Sequence, residues 1–200
     1  MRRLALLTLH VLLPDIAVAA CPTAADLVQG IVLVQNAPQF RRADFEDTPR
    51  GVMEVRHERG PEGSSNTIAW YAHGLASSSE QVGGREFRTL WRGDLDALDR
   101  LDTLGEVTLT AEVLDSDGGR RDLAMRALFE GAGEYALAEC RYPVWQVRYE
   151  VFLTSGEISA FRLDYAPGLG VVLAAREVGP EGEVPVFAYG WIGTSDDVRR

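Results

Sequence analysis

Residues 144–191 read VWQVRYEVFLTSGEISAFRLDYAPGLGVVLAAREVGPEGEVPVFAYGW, with apolar side chains recurring at every second position through much of the stretch. Trp145, Val147, Tyr149 and Val151 fall on one face of an extended chain, and Gln146, Arg148 and Glu150 on the other. That is the period of a half-buried strand. Thr154-Ser155-Gly156-Glu157 reads as a turn, after which Ser159, Phe161, Leu163 and Tyr165 align again. Pro167-Gly168 ends that strand and Val171 to Val178 form the next. Gly179-Pro180-Glu181-Gly182 then turns the chain, and Phe187, Tyr189 and Trp191 line one face of a last strand. Four strands joined by tight turns predict an antiparallel meander.

Weaker versions of the same pattern run upstream. Ile31–Val34, Val52–His57, Thr67–Ala72 and Phe87–Trp91 are predicted strands. In two further segments, Val107, Leu109, Ala111 and Val113, and then Leu123, Met125, Ala127 and Phe129, alternate with polar partners. Gly60-Pro61-Glu62-Gly63 echoes the later Gly-Pro-Glu-Gly and reads as a second hairpin turn, since Pro and Gly both have a turn mechanism. Thr23 caps a short turn over Thr23–Leu27. Asp94–Leu104 reads DLDALDRLDTL, with leucines at 95, 98, 101 and 104; this three-residue spacing suits a short 3₁₀ or α segment lying across a sheet. The expected fold is mostly β: a single antiparallel, strongly curved sheet, a half-barrel or open barrel meander, with one or two short helical segments.

The N-terminus, MRRLALLTLHVLLPDIAVAA, has two arginines, an apolar stretch from Leu4 to Leu13 and a small-residue end. This is the three-part layout of a secretory signal over residues 1–20, leaving 21–200 as one β-rich domain. The apolar stretch is about half of what a transmembrane helix requires, and no membrane span is expected. The chain has a formal net charge of −10, and all twenty basic residues are arginine. An acidic domain repels phosphate backbones, so nucleic acid is not an expected partner. Two uses compete for Cys21. Val18-Ala19-Ala20-Cys21 is similar to a bacterial lipoprotein box, in which Cys21 carries lipid and anchors the chain. The even cysteine count instead favours a Cys21–Cys140 disulfide in a periplasmic or secreted protein. Closing about 120 residues, that bridge is worth on the order of 4 kcal/mol.

Signals for chemistry are sparse. Only His57 and His73 follow the signal, and Glu54 and His57 point to opposite faces of a strand, so no metal site is read. Ser64-Ser65 and Ser77-Ser78-Ser79 sit on no nucleophile elbow and read as polar loops. Gly83-Gly84 and Gly118-Gly119 lack the helix and lysine of a phosphate loop. Asp115–Gly119 has Arg126 where a calcium loop needs its last acidic ligand, and reads as a hairpin turn. Asp44, Glu46, Asp47, Asp94, Asp96, Asp99 and Asp102 offer carboxylates, but abundance does not set the separation that a glycosidase needs. No catalytic residue and no cofactor is assigned. The remaining feature is the aromatic face of Trp145, Tyr149, Phe161, Tyr165, Phe187, Tyr189 and Trp191. These rings fill an ordinary core, or, if the sheet curves enough, line a cavity for an apolar ligand.

The signal ending in AACPTAADL, the cysteine before Arg141-Tyr142-Pro143-Val144-Trp145 and the segment YAPGLGVV from Tyr165 together resemble uncharacterised β-rich bacterial envelope proteins. In layout the chain is distantly similar to the half-barrels of lipoprotein carriers. The resemblance implies a fold and a compartment, and carries no functional residue. The functional expectation is a non-enzymatic periplasmic module that binds an apolar small molecule, lipid or acyl chain on the aromatic face. Its alternative is an envelope interaction protein with a closed core and another envelope protein as partner; a hydrolase using paired carboxylates comes third.

Overall fold

The computed structural model describes residues 20–61 and 63–198. The secretory signal expected over residues 1–20 therefore lies, except for Ala20, outside the described residues. From Ile31 onward the chain alternates strand and tight turn. The strands are β1 (Ile31–Gln35), β2 (Phe40–Thr48), β3 (Gly51–Gly60), β4 (Gly63–His73), β5 (Ala76–Val82) and β6 (Arg85–Arg92). After two short helical pieces come β7 (Glu106–Asp115), β8 (Arg120–Leu137), β9 (Cys140–Leu153), β10 (Ile158–Ala166), β11 (Val171–Gly179), β12 (Gly182–Ala188) and β13 (Trp191–Thr194). All belong to one antiparallel sheet in which each strand from β1 to β12 pairs with the next.

The C-terminal strands are antiparallel as expected, and β9 and β10 pair with their apolar faces on the same side. Trp145 of β9 sits opposite Tyr165 of β10, Val147 opposite Leu163 and Tyr149 opposite Phe161. The chain reverses direction at both Gly-Pro-Glu-Gly segments, with Gly60 paired to Gly63 and Gly179 to Gly182. The Asp115–Gly119 turn is held by its own side chain, because Asp115 Oδ1 accepts from Asp117 N at 3.0 Å and Gly119 N at 2.7 Å. Three segments differ from the sequence reading. Ser64-Ser65 belong to strand β4, paired with Glu58 and Arg59 of β3, and Ser77-Ser78-Ser79 to strand β5, so neither is a loop; Phe40–Thr48 is strand β2. None of them alternates cleanly in sequence, and β2 and β5 are held in the ladder by flanking strands on both sides.

The last strand is divided. Tyr189 N donates to Leu173 O of β11, whereas Gly190 N donates to Val34 O of β1. Within two residues the chain therefore leaves one end of the sheet, where β12 pairs with β11, and joins the other, where β13 pairs with β1. The ladder itself stays open, since β12 and β13 end the strand order and do not pair with each other. Trp191 is consequently parted from Phe187 and Tyr189, which the sequence placed on one strand face.

Curvature comes from β-bulges between Phe129 and Gly131, Asp164 and Tyr165, and Ala175 and Arg176. Each adds a residue to one strand and bends it. The bend is strong enough that the β4–β5 turn meets the β10–β11 loop: a Cβ on Gly74 would overlap the carbonyl oxygen of Gly170. Only glycine permits that approach.

Two cores fill the concave side. One gathers Leu27, Ile31, Leu33, Phe45, Leu137, Tyr142, Leu169, Leu173 and Ile192 around the disulfide end. There Cys21 and Cys140 are bonded, with Cα atoms 5.6 Å apart, and Tyr142 Oη donates to Pro22 O at 2.9 Å. Cys21 thus takes the disulfide use rather than the lipid use in this structure. The other core surrounds the 3₁₀ turn Leu95–Arg100 and the single helical turn α1 (Leu101–Leu104). Leu98 and Leu101 are fully buried against Leu109, Met125, Ala127 and Val147, while Leu104 at the end of the segment is half exposed. The three-residue leucine spacing thus makes a plug that occupies the sheet's interior.

Candidate functional site

Between the two cores lies a cavity of about 160 Å³, walled by both halves of the sheet. Arg41, Phe45, Val52, Glu54, Arg56 and Tyr71 reach it from β2, β3 and β4. Leu163, Val171, Val172, Phe187 and Tyr189 close it from β10 onward.

The polar wall follows from strand register. On β3, Glu54 and Arg56 are two residues apart and share the inward face. Their cross-strand neighbours are mostly small: Glu54 is opposite Phe45 and Ala69, and Arg56 is opposite Ala43 and Thr67. Ala43 and Ala69 leave the room that the longer side chains and the cavity occupy. The next inward pair along β2 and β3 is Arg41 opposite Glu58.

Tyr71 Oη donates to Glu54 Oε2 at 2.6 Å. Burial first, and then the Glu54 carboxylate, push the Tyr71 hydroxyl well above its ordinary value, so it remains a donor. Glu54 is 4% exposed at its side chain, and its Oε1 lies 3.5 Å from Arg56 Nε. Arg56 Nη2 donates to Glu80 Oε1 at 3.3 Å. Burial opposes the Arg56 charge, but Glu54 and the neighbouring groups more than offset it and its pKa rises. Arg56 Nε is buried and makes no hydrogen bond among the described residues.

Arg41 is held on three sides. Its Nη1 donates to Glu58 Oε1 at 2.8 Å and its Nε to Tyr189 Oη at 3.1 Å. Its guanidinium carbon lies 4.0 Å from the centre of the Phe187 ring, a cation–π contact. Burial raises the Tyr189 hydroxyl to about 12, with Arg41 pulling the other way. The hydroxyl accepts from Arg41 and keeps its own hydrogen to donate.

Of the seven aromatic residues singled out in the sequence, Phe187 and Tyr189 line this cavity, their ring centres 5.2 Å apart. Trp145, Tyr149, Phe161 and Tyr165 pack around the plug in the second core. Trp191 lies at the disulfide end, beside a groove that also includes Pro22, Ala138 and Cys140. Of the charged wall, Arg41, Arg56 and Tyr71 carry no signal in the sequence, and Glu54 enters there only as a rejected metal ligand. Among the described residues no group of three His, Cys, Asp or Glu side chains is placed to hold a metal ion.

His73 ends β4, next to Gly74 of the cavity lining. Its Nδ1 accepts from Leu75 N at 3.1 Å, which leaves the ring proton on Nε2. Nε2 is 3.3 Å from Asp99 Oδ1 on the plug and 3.4 Å from Tyr165 Oη. Burial lowers the His73 pKa, while Asp99 and Asp96 oppose the shift.

Comparison with known proteins yields no match: no family model, no curated protein and no solved structure is similar to this chain.

Proposed function

We propose that this chain is a non-enzymatic binding module that works outside the cytoplasm and holds a small, largely apolar molecule in the cavity between its two cores. The observation that carries the reading is the cavity wall itself, where Phe45, Val52, Leu163, Val171, Val172 and Phe187 offer a largely apolar surface between two packed cores.

Size narrows the ligand. A cavity of about 160 Å³ is close to one that admits benzene and below the roughly 300 Å³ at which typical ligand pockets begin. A single ring or short branched chain fits where a long acyl chain does not. The Cys21–Cys140 disulfide supports a location outside the reducing cytoplasm, as does the signal-like N-terminus.

One observation favours the interaction-protein reading. Val184 and Val186 are exposed on β12, which ends the sheet. Glu183 and Pro185 stand on the same strand and are the residue types that discourage edge pairing. The cavity reading therefore ranks first.

The test is an amide-resolved NMR titration of the folded, disulfide-bonded protein with toluene. The proposal expects saturable shifts at Val52, Tyr71, Val172 and Phe187 that disappear in Val172→Phe, a variant whose circular dichroism should match the parent. Shifts scattered over the surface, or unchanged by Val172→Phe, would count against the cavity.

A further inference from the structure

We infer that a ligand enters and leaves the cavity through a seam in the sheet, between β12 and the β1–β2 hairpin, which side chains rather than backbone pairing hold shut; this rests on the cavity being the ligand site. Most of the wall is bonded strand to strand. Arg41, Glu54 and Tyr71 come from β2, β3 and β4, and Leu163, Val171 and Phe187 from β10, β11 and β12, each strand paired with the next. The two groups meet without a ladder where Phe187 comes up against Arg41, because β12 pairs with β11 and then ends the strand order.

Side chains span this gap. Ala188 N donates to Gln35 Oε1 at 2.6 Å, and Gln35 Nε2 donates to Gln39 O at 3.0 Å. Gln35 thus takes the place that a neighbouring strand's carbonyl would hold beside Ala188. Arg41 adds its contact with the Phe187 ring and its hydrogen bond to Tyr189. Two residues beyond Ala188 the backbone takes over, since Gly190 N donates to Val34 O and β13 pairs with β1. In the other direction the seam faces solvent. Gly182 to Val186 are exposed, and Phe187, partly buried, joins this outer rim to the cavity wall.

This is the wall's weakest line. Parting any two paired strands breaks a run of backbone hydrogen bonds, whereas parting the seam breaks the Ala188–Gln35 bond and slides Phe187 and Tyr189 off Arg41. Arg41 remains tied to Glu58 at 2.8 Å, so β12 is the side that moves.

The experiment measures toluene association and release by NMR exchange on the wild-type protein, Gln35→Ala and Tyr142→Phe. Gln35 lies off the cavity wall. Its replacement should speed association and release together, by about five- to tenfold, with the dissociation constant changed by less than about twofold. Tyr142→Phe removes a hydrogen bond to Pro22 O at the disulfide end and should exchange toluene at the wild-type rate. On the wild type, the Ala188 amide should exchange with deuterium at least about tenfold faster than that of Val147, on a strand paired on both sides. Rates unchanged in Gln35→Ala, equal acceleration in Tyr142→Phe, or equal protection of the two amides would overturn the seam and leave the cavity a ligand site. If the wild type shows no saturable binding of toluene, the ligand site itself is overturned and this inference with it.

Discussion

At Glu54 and Arg56 two charges share the concave side of a β-sheet, an arrangement that is stable only while the partners hold each other. Reading these residues as inward was not open to sequence pattern alone. In Val52-Met53-Glu54-Val55-Arg56, one strand face carries Val52, Glu54 and Arg56 and the other only the apolar Met53 and Val55, so the opposite phase looks better suited to a core. Only the register against Ala43 and Ala69 settles the choice. The cavity aromatics Phe187 and Tyr189, by contrast, were visible in the alternation of the last strand.

His73 carries a prediction at this scale. In the fold its Nδ1 accepts the Leu75 amide hydrogen, and protonation there removes the bond. Because burial lowers its pKa, the unfolded chain binds the proton at higher pH than the folded one. The stabilising contribution is therefore complete above the unfolded value of about 6.5 and is lost progressively as pH falls below it towards the lower folded value. Urea unfolding at about pH 7.5 and about pH 5.5 should show lower stability at the acid end, with a smaller difference in His73→Gln. An equal pH dependence in the variant would assign the effect to other groups.

Among the elements, the segment from Asp94 to Leu104 contributes most to the shape of the interior. Its leucine spacing was legible, and so was its place across the sheet. The sequence did not show which leucines point inward, because a short helical turn presents 95, 98, 101 and 104 almost alike. The structure buries Leu98 and Leu101 completely and leaves Leu104 half exposed. Leu98→Ala should cost about 2–5 kcal/mol and Leu104→Ala within about 0.5 kcal/mol, both read from urea midpoints. Comparable losses at both positions would contradict the plug. Strands β2 and β5 were the elements least readable in advance. Arg41-Arg42 and Ser77-Ser78-Ser79 have weak strand preference, and it is pairing with neighbours on both sides that holds them extended.

For the whole molecule, the decisive features are long-range. The disulfide joins residues 119 apart in sequence and fixes the start of the described chain to the beginning of β9. Pairing of Cys21 with Cys140 was legible from parity, since there were only two cysteines to join. The division of the last strand was not, because nothing in Phe187–Trp191 records that its two halves pair with strands from opposite ends of the sheet. The Cys21→Ser, Cys140→Ser double variant should lose about 2–5 kcal/mol in urea unfolding while retaining its sheet spectrum. A loss near zero would mean that the divided strand and the first core hold that end without the bridge.

These features serve one outcome, a strongly curved sheet with a small, mixed-walled cavity between its two cores. The measurement that bears on it most directly is a crystal structure of the wild-type protein grown with saturating toluene. One ring is expected in the cavity, against Phe187 and Val172. Toluene bound only elsewhere, with water alone or collapsed side chains between the two cores, would contradict it.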